Sequence, residues 1–377
     1  MSSRSPFRIL LVALTAVGVV AAVYVGRNTL MHDVIPEPSR LPHSLPPGPI
    51  ALSGPTMGST WLVRLSRIPP ATTAEQVQSA VQEVLYRVDG QMSTYKPDSD
   101  LSRFNKSRST DWFAVPEDLA TVVDMAQHVS QQSGGAFDVT VGPLVNLWGF
   151  GPEHPAGTFG SIPPPAMLAE ARRHVGYRLL EVRLAPPAVR KADPLVYVDL
   201  SAIAKGYAAE LVGRRLDELG ASDYLIAVGG EMRARGLSPL GQPWRVGIET
   251  PTPGVRRVLC RVALRQGSLS TSGDYRNFFE KDGRRYSHEI DPATGEPTTK
   301  APASVTVADT SGAYADAMAT ALMVMGPDEG YALAQKLGLP VLFITRGTGE
   351  FHMRATPQFE QIMIAGPETA PATEGSE

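Results

Sequence analysis

AYADAMATALMVMG, Ala313 to Gly326, decides how this chain is layered. The run is almost wholly Ala, Leu, Met and Val. It reads as a helix that is apolar on every side, and such a helix is buried. Short β-branched runs flank it: SVTVA (Ser304–Ala308) before and VLFIT (Val341–Thr345) after. Two residues break the apolar pattern. Asp316 and Thr320 are four apart and share one helix face. A carboxylate on a buried face needs a partner. It is either a hydrogen-bonded core aspartate or part of a hard-cation site, since carboxylate and hydroxyl oxygens suit Mg²⁺. Paired histidines or thiolates are missing nearby, so zinc is a poor fit.

Outward from this helix, strands are predicted at WLVRL (61–65), YLIAV (224–228) and WRVGI (244–248). Helices are predicted at AEQVQSAVQEVLYRV (74–88), PEDLATVVDMAQHVSQQSGG (116–135) and AKGYAAELVGRRLDELG (204–220). Thr73, three residues before Gln76, makes a capping box for the first of these. Helices and strands mix without strict alternation, which predicts an α+β fold over a doubly wound parallel sheet. Internal repeats are absent.

The 377 residues suffice for one large or two medium domains, and 43% hydrophobic with 19% charged content is ordinary for a globular core. A net charge of -3 offers no basic field for a phosphate backbone, so nucleic acid is excluded as a partner class. The single cysteine, Cys260, lies in an apolar run and reads as inert core. Arg4 and Arg8 precede the uncharged 17-residue run Ile9–Val25. A positive start followed by an apolar stretch describes an export signal. Residues 1–30 are read as an uncleaved signal anchor that places the body outside the cytoplasm, with a cleaved signal peptide as the alternative. Residues 31–51 form a Pro-rich linker, 52–364 the globular body, and 365–377 a polar tail.

Several patches could carry chemistry. GPTMGST (54–60) reads as a glycine loop before a strand, able to let backbone approach a ligand. MSTYKPDSDLSRFN (92–105) sets Tyr95 among polar groups, and GGAFDVTVGPLVNLWGFG (134–151) sets Phe137, Trp148 and Phe150 among glycines. Those aromatics either stack on a flat ring or simply pack. In VDLSAIAKGYA (198–208), Asp199 ends a strand and Lys205 opens a helix. A lysine at that end opposes the helix dipole. It is either a snorkelling surface residue or a phosphate contact working with the helix amides. In SHEIDPATGEP (287–297), His288 and Asp291 stand on rigid turn punctuation.

Taken in order, GPTMGST, MSTYKPDSDLSRFN, GAFDVTVGPLVNLWGFG, DLSAIAKGYA, VGGEMRARG, STSGDYRNFF, SHEIDPATGEP and DAMATAL resemble the flavin transferase family of the ApbE type, over roughly residues 52–364. The resemblance implies a two-lobed, T-fold-related α+β body with the flavin site between the lobes. It implies an enzyme that splits the pyrophosphate of FAD, attaches FMN through a phosphoester to a threonine of a target flavoprotein, and releases AMP. The flavin contacts it implies are Met57, Tyr95, Ala136, Phe137, Asp138, Asp199, Lys205 and Ile290. The implied Mg²⁺ ligands are Asp316, Thr320 and the carbonyl of Ala202. The implied acceptor is a membrane-bound electron-transfer subunit on the periplasmic side of the inner membrane. Many members are lipoproteins, whereas this chain has no lipidation cysteine. A threonine hydroxyl needs a base, and His288 is the candidate. Asp291 then either orients the imidazole or fixes the turn, and Lys205 adds positive charge at the phosphates. An FAD pyrophosphatase and a non-catalytic flavin-binding protein are the alternatives.

Overall fold

The computed structural model describes residues 49–152, 160–299 and 302–364. The anchor segment, most of the Pro-rich linker and the C-terminal tail lie outside the described residues. Among the described residues, no helix is long and apolar enough to cross a membrane.

In chain order the strands are β1 (Ile50–Thr56), β2 (Ser59–Leu65), β3 (Phe113–Ala114), β4 (Leu180–Leu184), β5 (Pro187–Lys191), β6 (Tyr224–Val228), β7 (Glu231–Arg235) and β8 (Trp244–Glu249). They continue as β9 (Val258–Leu264), β10 (Gln266–Gly273), β11 (Phe278–Lys281), β12 (Arg284–Ser287), β13 (Ser304–Asp309), β14 (Val341–Arg346), β15 (Phe351–Ala355) and β16 (Met363–Ile364). Eight of them form one sheet in the order β1-β2-β6-β7-β10-β13-β14-β15. Every neighbouring pair in it is antiparallel. That is the expected mixed architecture. The helices connect across the sheet rather than cross over between parallel strands.

The helices Ala74–Met92, Ala204–Glu218 and Gly312–Met325 pack on one face of this sheet. The Glu117–Gln132 helix lies against Gly312–Met325 from behind, so the apolar helix is enclosed as its composition requires. Its Ala315, Ala317, Met318, Ala319, Leu322 and Met323 are fully buried. The other face carries a second core, where Leu225, Leu269, Leu342 and Ile344 meet Trp244, Val246, Ile248 and Val262 of the small β16-β9-β8 sheet. A sheet covered on both faces explains why YLIAV and VLFIT read as continuous apolar runs instead of alternating ones. Cys260 belongs to this core, and burial pushes its thiol up. The capping box is present: Thr73 accepts from the Gln76 amide and the Gln76 side chain accepts from the Thr73 amide.

Two sequence expectations change, and one open alternative is resolved. Met57 and Gly58 form the two-residue turn of the β1–β2 hairpin, with φ of +46 and +68. GPTMGST is therefore a hairpin tip and not an open glycine loop. Asp199 does not end a strand. It lies in an irregular segment leading to the Ala204–Glu218 helix, where its amide donates to Val139. Trp148 and Phe150 pack and do not stand free. They stack with Phe279 and Tyr286 in a smaller core that also holds Leu144, Leu168 and Ile290.

The segment carrying Asp199 is anchored by a buried lysine. Lys191 is wholly inaccessible and donates to the carbonyls of Phe104, Asn105 and Val196 at 3.1 to 3.3 Å. Asn105 in turn exchanges two 2.8 Å hydrogen bonds with Val198. Burial pushes the Lys191 amine down to about 8, with Arg108 adding to the fall and Asp193 opposing it. The unfolded chain keeps this proton up to about 10.5, so between the two values it binds more protons than the native state. Stability from this group therefore rises as pH climbs from about 8 to about 10.5, by up to about 3 kcal/mol. Urea unfolding across that range should show the rise in the native chain and lose it in Lys191→Met.

Candidate active site

A cleft of about 860 Å³ opens between the sheet core and the aromatic core, a size suited to a cofactor-sized ligand. Met57, Tyr95, Ala136, Phe137, Asp138, Asp199, Ala202, Lys205, His288, Ile290, Asp316 and Thr320 all line it. The residues singled out in the sequence thus converge from six separate segments. Of the residues assigned a catalytic, flavin or metal role, Asp291 alone does not line the cleft, and the aromatics Trp148 and Phe150 do not line it either.

The floor is set by a close helix contact. A Cβ on Gly206 would lie 2.1 Å from the carbonyl oxygen of Gly312, and one on Gly312 would lie 2.2 Å from that of Gly206. Only paired glycines allow these two backbones to meet. The approach places Asp316, 3% exposed, against the start of the other helix. Its Oδ2 accepts the Gly206 amide at 2.9 Å. In a regular helix that amide would close on the carbonyl of Ala202. Among the described residues the Ala202 carbonyl accepts no hydrogen bond. Asp316 Oδ1 faces Lys205 Nζ at 4.0 Å, beyond hydrogen-bond reach. One turn along, Thr320 Oγ1 lies 2.9 Å from Ser272 Oγ. If Ser272 accepts the hydroxyl proton, Thr320 keeps its lone pairs for a ligand. A free carboxylate oxygen, a free carbonyl and an oriented hydroxyl fit a hard divalent cation, and the set lacks the histidine or thiolate ligands that zinc sites are built on.

Lys205 is not a snorkelling residue. Its ammonium donates to Glu231 Oε1 at 3.2 Å. Burial works against this ammonium, yet Asp316 and Glu231 hold its pKa above the ordinary lysine range. Burial also pushes the Asp316 carboxyl well above the usual carboxylate range, against the pull of Lys205, and Glu231 adds to the rise.

His288 follows the β11–β12 hairpin. Its Nδ1 lies 3.2 Å from the Asn277 carbonyl and its own amide donates to the same oxygen at 3.1 Å. A carbonyl can only accept, so the contact puts a proton on Nδ1, and in the neutral ring that tautomer leaves the Nε2 lone pair free. Phe150 meets the ring edge-on at 6.4 Å. Asp291 does not orient the imidazole. Its carboxylate accepts the Ala293 amide at 2.8 Å and its carbonyl accepts the Gly295 amide at 2.8 Å. Trp148 Nε1 clamps the turn from below through the Gly295 carbonyl. Of the two roles open to Asp291, the structure gives it the turn. The acid beside the imidazole is Glu289, with Oε1 3.6 Å from Nε2. Burial pushes Glu289 up while His288 and Lys205 pull it down.

Two other expected contacts have carboxylates already engaged. Asp138 accepts from the Thr140 amide, the Thr140 hydroxyl and the Tyr177 amide. Asp199 accepts from the amide and hydroxyl of Ser201. Both shape the wall of the cleft from turns. Tyr95, 69% exposed, stands at its mouth, with an open aromatic face. Glu231, Ser272, Asn277 and Glu289 line the cleft without having been assigned a role in the sequence.

The ApbE family model matches residues 57–343. FAD:protein FMN transferase of Vibrio cholerae is 42% identical over 314 residues, covering 83% of this chain and 92% of its own. The FAD:protein FMN transferase of Escherichia coli K12 is 39% identical over 316 residues, with 83% and 89% covered. Among solved structures, the flavin transferase ApbE of Vibrio cholerae superposes with a TM-score of 0.77 at 41% identity, over 84% of this chain and all of the other. The apo flavinyl transferase ApbE of Pseudomonas stutzeri gives 0.77 at 40% identity, over 85% and 98%.

Proposed function

The chain belongs to the ApbE family, and on that premise we propose how its cleft carries out flavin transfer. The protein is an enzyme that moves FMN from FAD to a target protein. FAD lies in the two-lobed cleft with its flavin among Met57, Tyr95, Ala136, Phe137 and Ile290, while Asp138 and Asp199 hold the walls. The acceptor is a threonine hydroxyl. His288 Nε2 takes its proton as the oxygen bonds to the phosphorus of FMN. The P–O bond to AMP breaks in the same displacement, and AMP leaves. Phosphoryl transfer depends on positioning and charge neutralisation more than on covalent work by the protein. Mg²⁺ held by Asp316, Thr320 and the Ala202 carbonyl would supply that neutralisation at the pyrophosphate. Lys205 adds a second positive charge.

What supports a cation here is the Gly206 amide, which donates to Asp316 and so leaves the Ala202 carbonyl open. The apolar run behind Arg4 and Arg8 supports an inner-membrane anchor. On that reading the body faces the periplasm and meets a membrane-bound electron-transfer subunit as acceptor. The test pairs an EDTA titration with an acceptor-site Thr→Val substitution. Transfer should stop in both cases and return when Mg²⁺ is added back to the first. Transfer that persists through EDTA removes the cation, and adduct on the valine variant removes the threonine.

A further inference from the structure

Glu231 opens β7 directly after the Gly229–Gly230 turn and is 5% exposed. Among the described residues its carboxylate has one hydrogen-bond partner, Lys205 Nζ at 3.2 Å, and its Oε2 is buried with none. A buried carboxylate half left without a partner is costly, so a core role does not explain it. The lysine is constrained at a second point as well. A Cβ on Gly229 would lie 3.0 Å from Lys205 Cδ, so the glycine leaves room for the stem to pass. Stem and head together fix the ammonium 4.0 Å from Asp316 Oδ1, close enough to feel it and too far to bond it.

We propose that Glu231 is a positioning residue that holds Lys205 off Asp316 and so keeps the Asp316 oxygen open for a divalent cation. The proposal rests on the cation reading of Asp316, Thr320 and Ala202. The geometry gives its logic. Lys205 Nζ has two carboxylates within 4.0 Å and bonds the one that is not a cation ligand. Without the Glu231 charge, Asp316 Oδ1 becomes the nearest anion, and the ammonium closes on it. A lysine seated there competes directly with the cation. Ser272 plays the matching part at Thr320 by lying within hydrogen-bond reach of its hydroxyl. Outer partners of this kind set metal affinity even though they never touch the metal.

The test uses the full chain without FAD and Mn²⁺ as the probe, with free Mn²⁺ followed by its paramagnetic resonance signal. Glu231→Gln should weaken Mn²⁺ binding by about tenfold or more. Lys205→Met should bind at least as tightly as the native chain, because the competitor is gone. In the Lys205→Met background, Glu231→Gln should change nothing, and the double variant should recover the affinity lost in Glu231→Gln. That comparison also carries the test if Glu231→Gln alone does not fold. A tenfold loss on adding Glu231→Gln to Lys205→Met makes Glu231 a ligand in its own right and overturns the proposal. So does native affinity in a folded Glu231→Gln single variant. A native chain that binds no Mn²⁺ instead brings down the cation reading itself.

Discussion

Asp316→Asn should slow FMN transfer by about 10³-fold, equivalent to about 4 kcal/mol of lost transition-state stabilisation. The substitution is nearly isosteric. Its amide oxygen can still accept the Gly206 N–H at the Oδ2 position, so the Gly206–Gly312 helix contact is kept. What changes is the atom facing the cleft. An NH₂ donor replaces a carboxylate oxygen, and the negative charge that faces Lys205 is gone. FAD binding, measured through flavin fluorescence without added metal, should change little, because the flavin wall lies on other segments. AMP release against Mg²⁺ concentration reads the effect. A folded Asp316→Asn variant with native rate and native Mg²⁺ dependence would falsify the cation role.

His288→Gly should lower kcat by about 10² to 10⁴-fold, the usual worth of a positioned general base. KM for FAD should stay close to native, since the imidazole acts on the acceptor hydroxyl. The Asn277 carbonyl loses its Nδ1–H donor but keeps the backbone amide of residue 288, so the hairpin retains its tie. Added imidazole should restore part of the rate by occupying the space left beside Phe150 and Glu289. A folded variant that transfers FMN at the native rate rules out the base. A rise in KM with unchanged kcat would make His288 a binding residue only.

Much of the fold was legible because local and global signals agree. The apolar helix Gly312–Met325, the Thr73–Gln76 capping box and the β-branched runs at 61–65, 224–228 and 341–345 each have one physical reading, and each holds. The β1–β2 hairpin was hidden because methionine is poor turn chemistry. Its φ of +46 at the tip of Met57 is a strained choice that tertiary context enforces. Asp199 looked like a strand end because VYV precedes it, but Lys191 and Asn105 hold that segment by side-chain bonds and not by a ladder.

The site was legible wherever a motif carried the chemistry itself, as with His288, Asp316 and Thr320. It was not legible where sheet register and helix crossing create the contact. Glu231 meets Lys205 across 26 residues, and Ser272 meets Thr320 across 48. Nothing in either local sequence points to the other. Asp291 shows the converse: two positions from an imidazole's neighbour in sequence, it spends its carboxylate on the Ala293 amide. Glu289 took the place beside the ring because the residue after His288 faces back into the cleft.

The decisive measurement is the intact mass of a candidate acceptor domain after incubation with the full chain, FAD and Mg²⁺, with AMP quantified in the same mixture. The expected result is a gain equal to FMN less one water on a single threonine, with one AMP released per adduct. Stoichiometric FMN and AMP with no adduct on an acceptor that a relative flavinylates would contradict it, and would make the cleft an FAD pyrophosphatase.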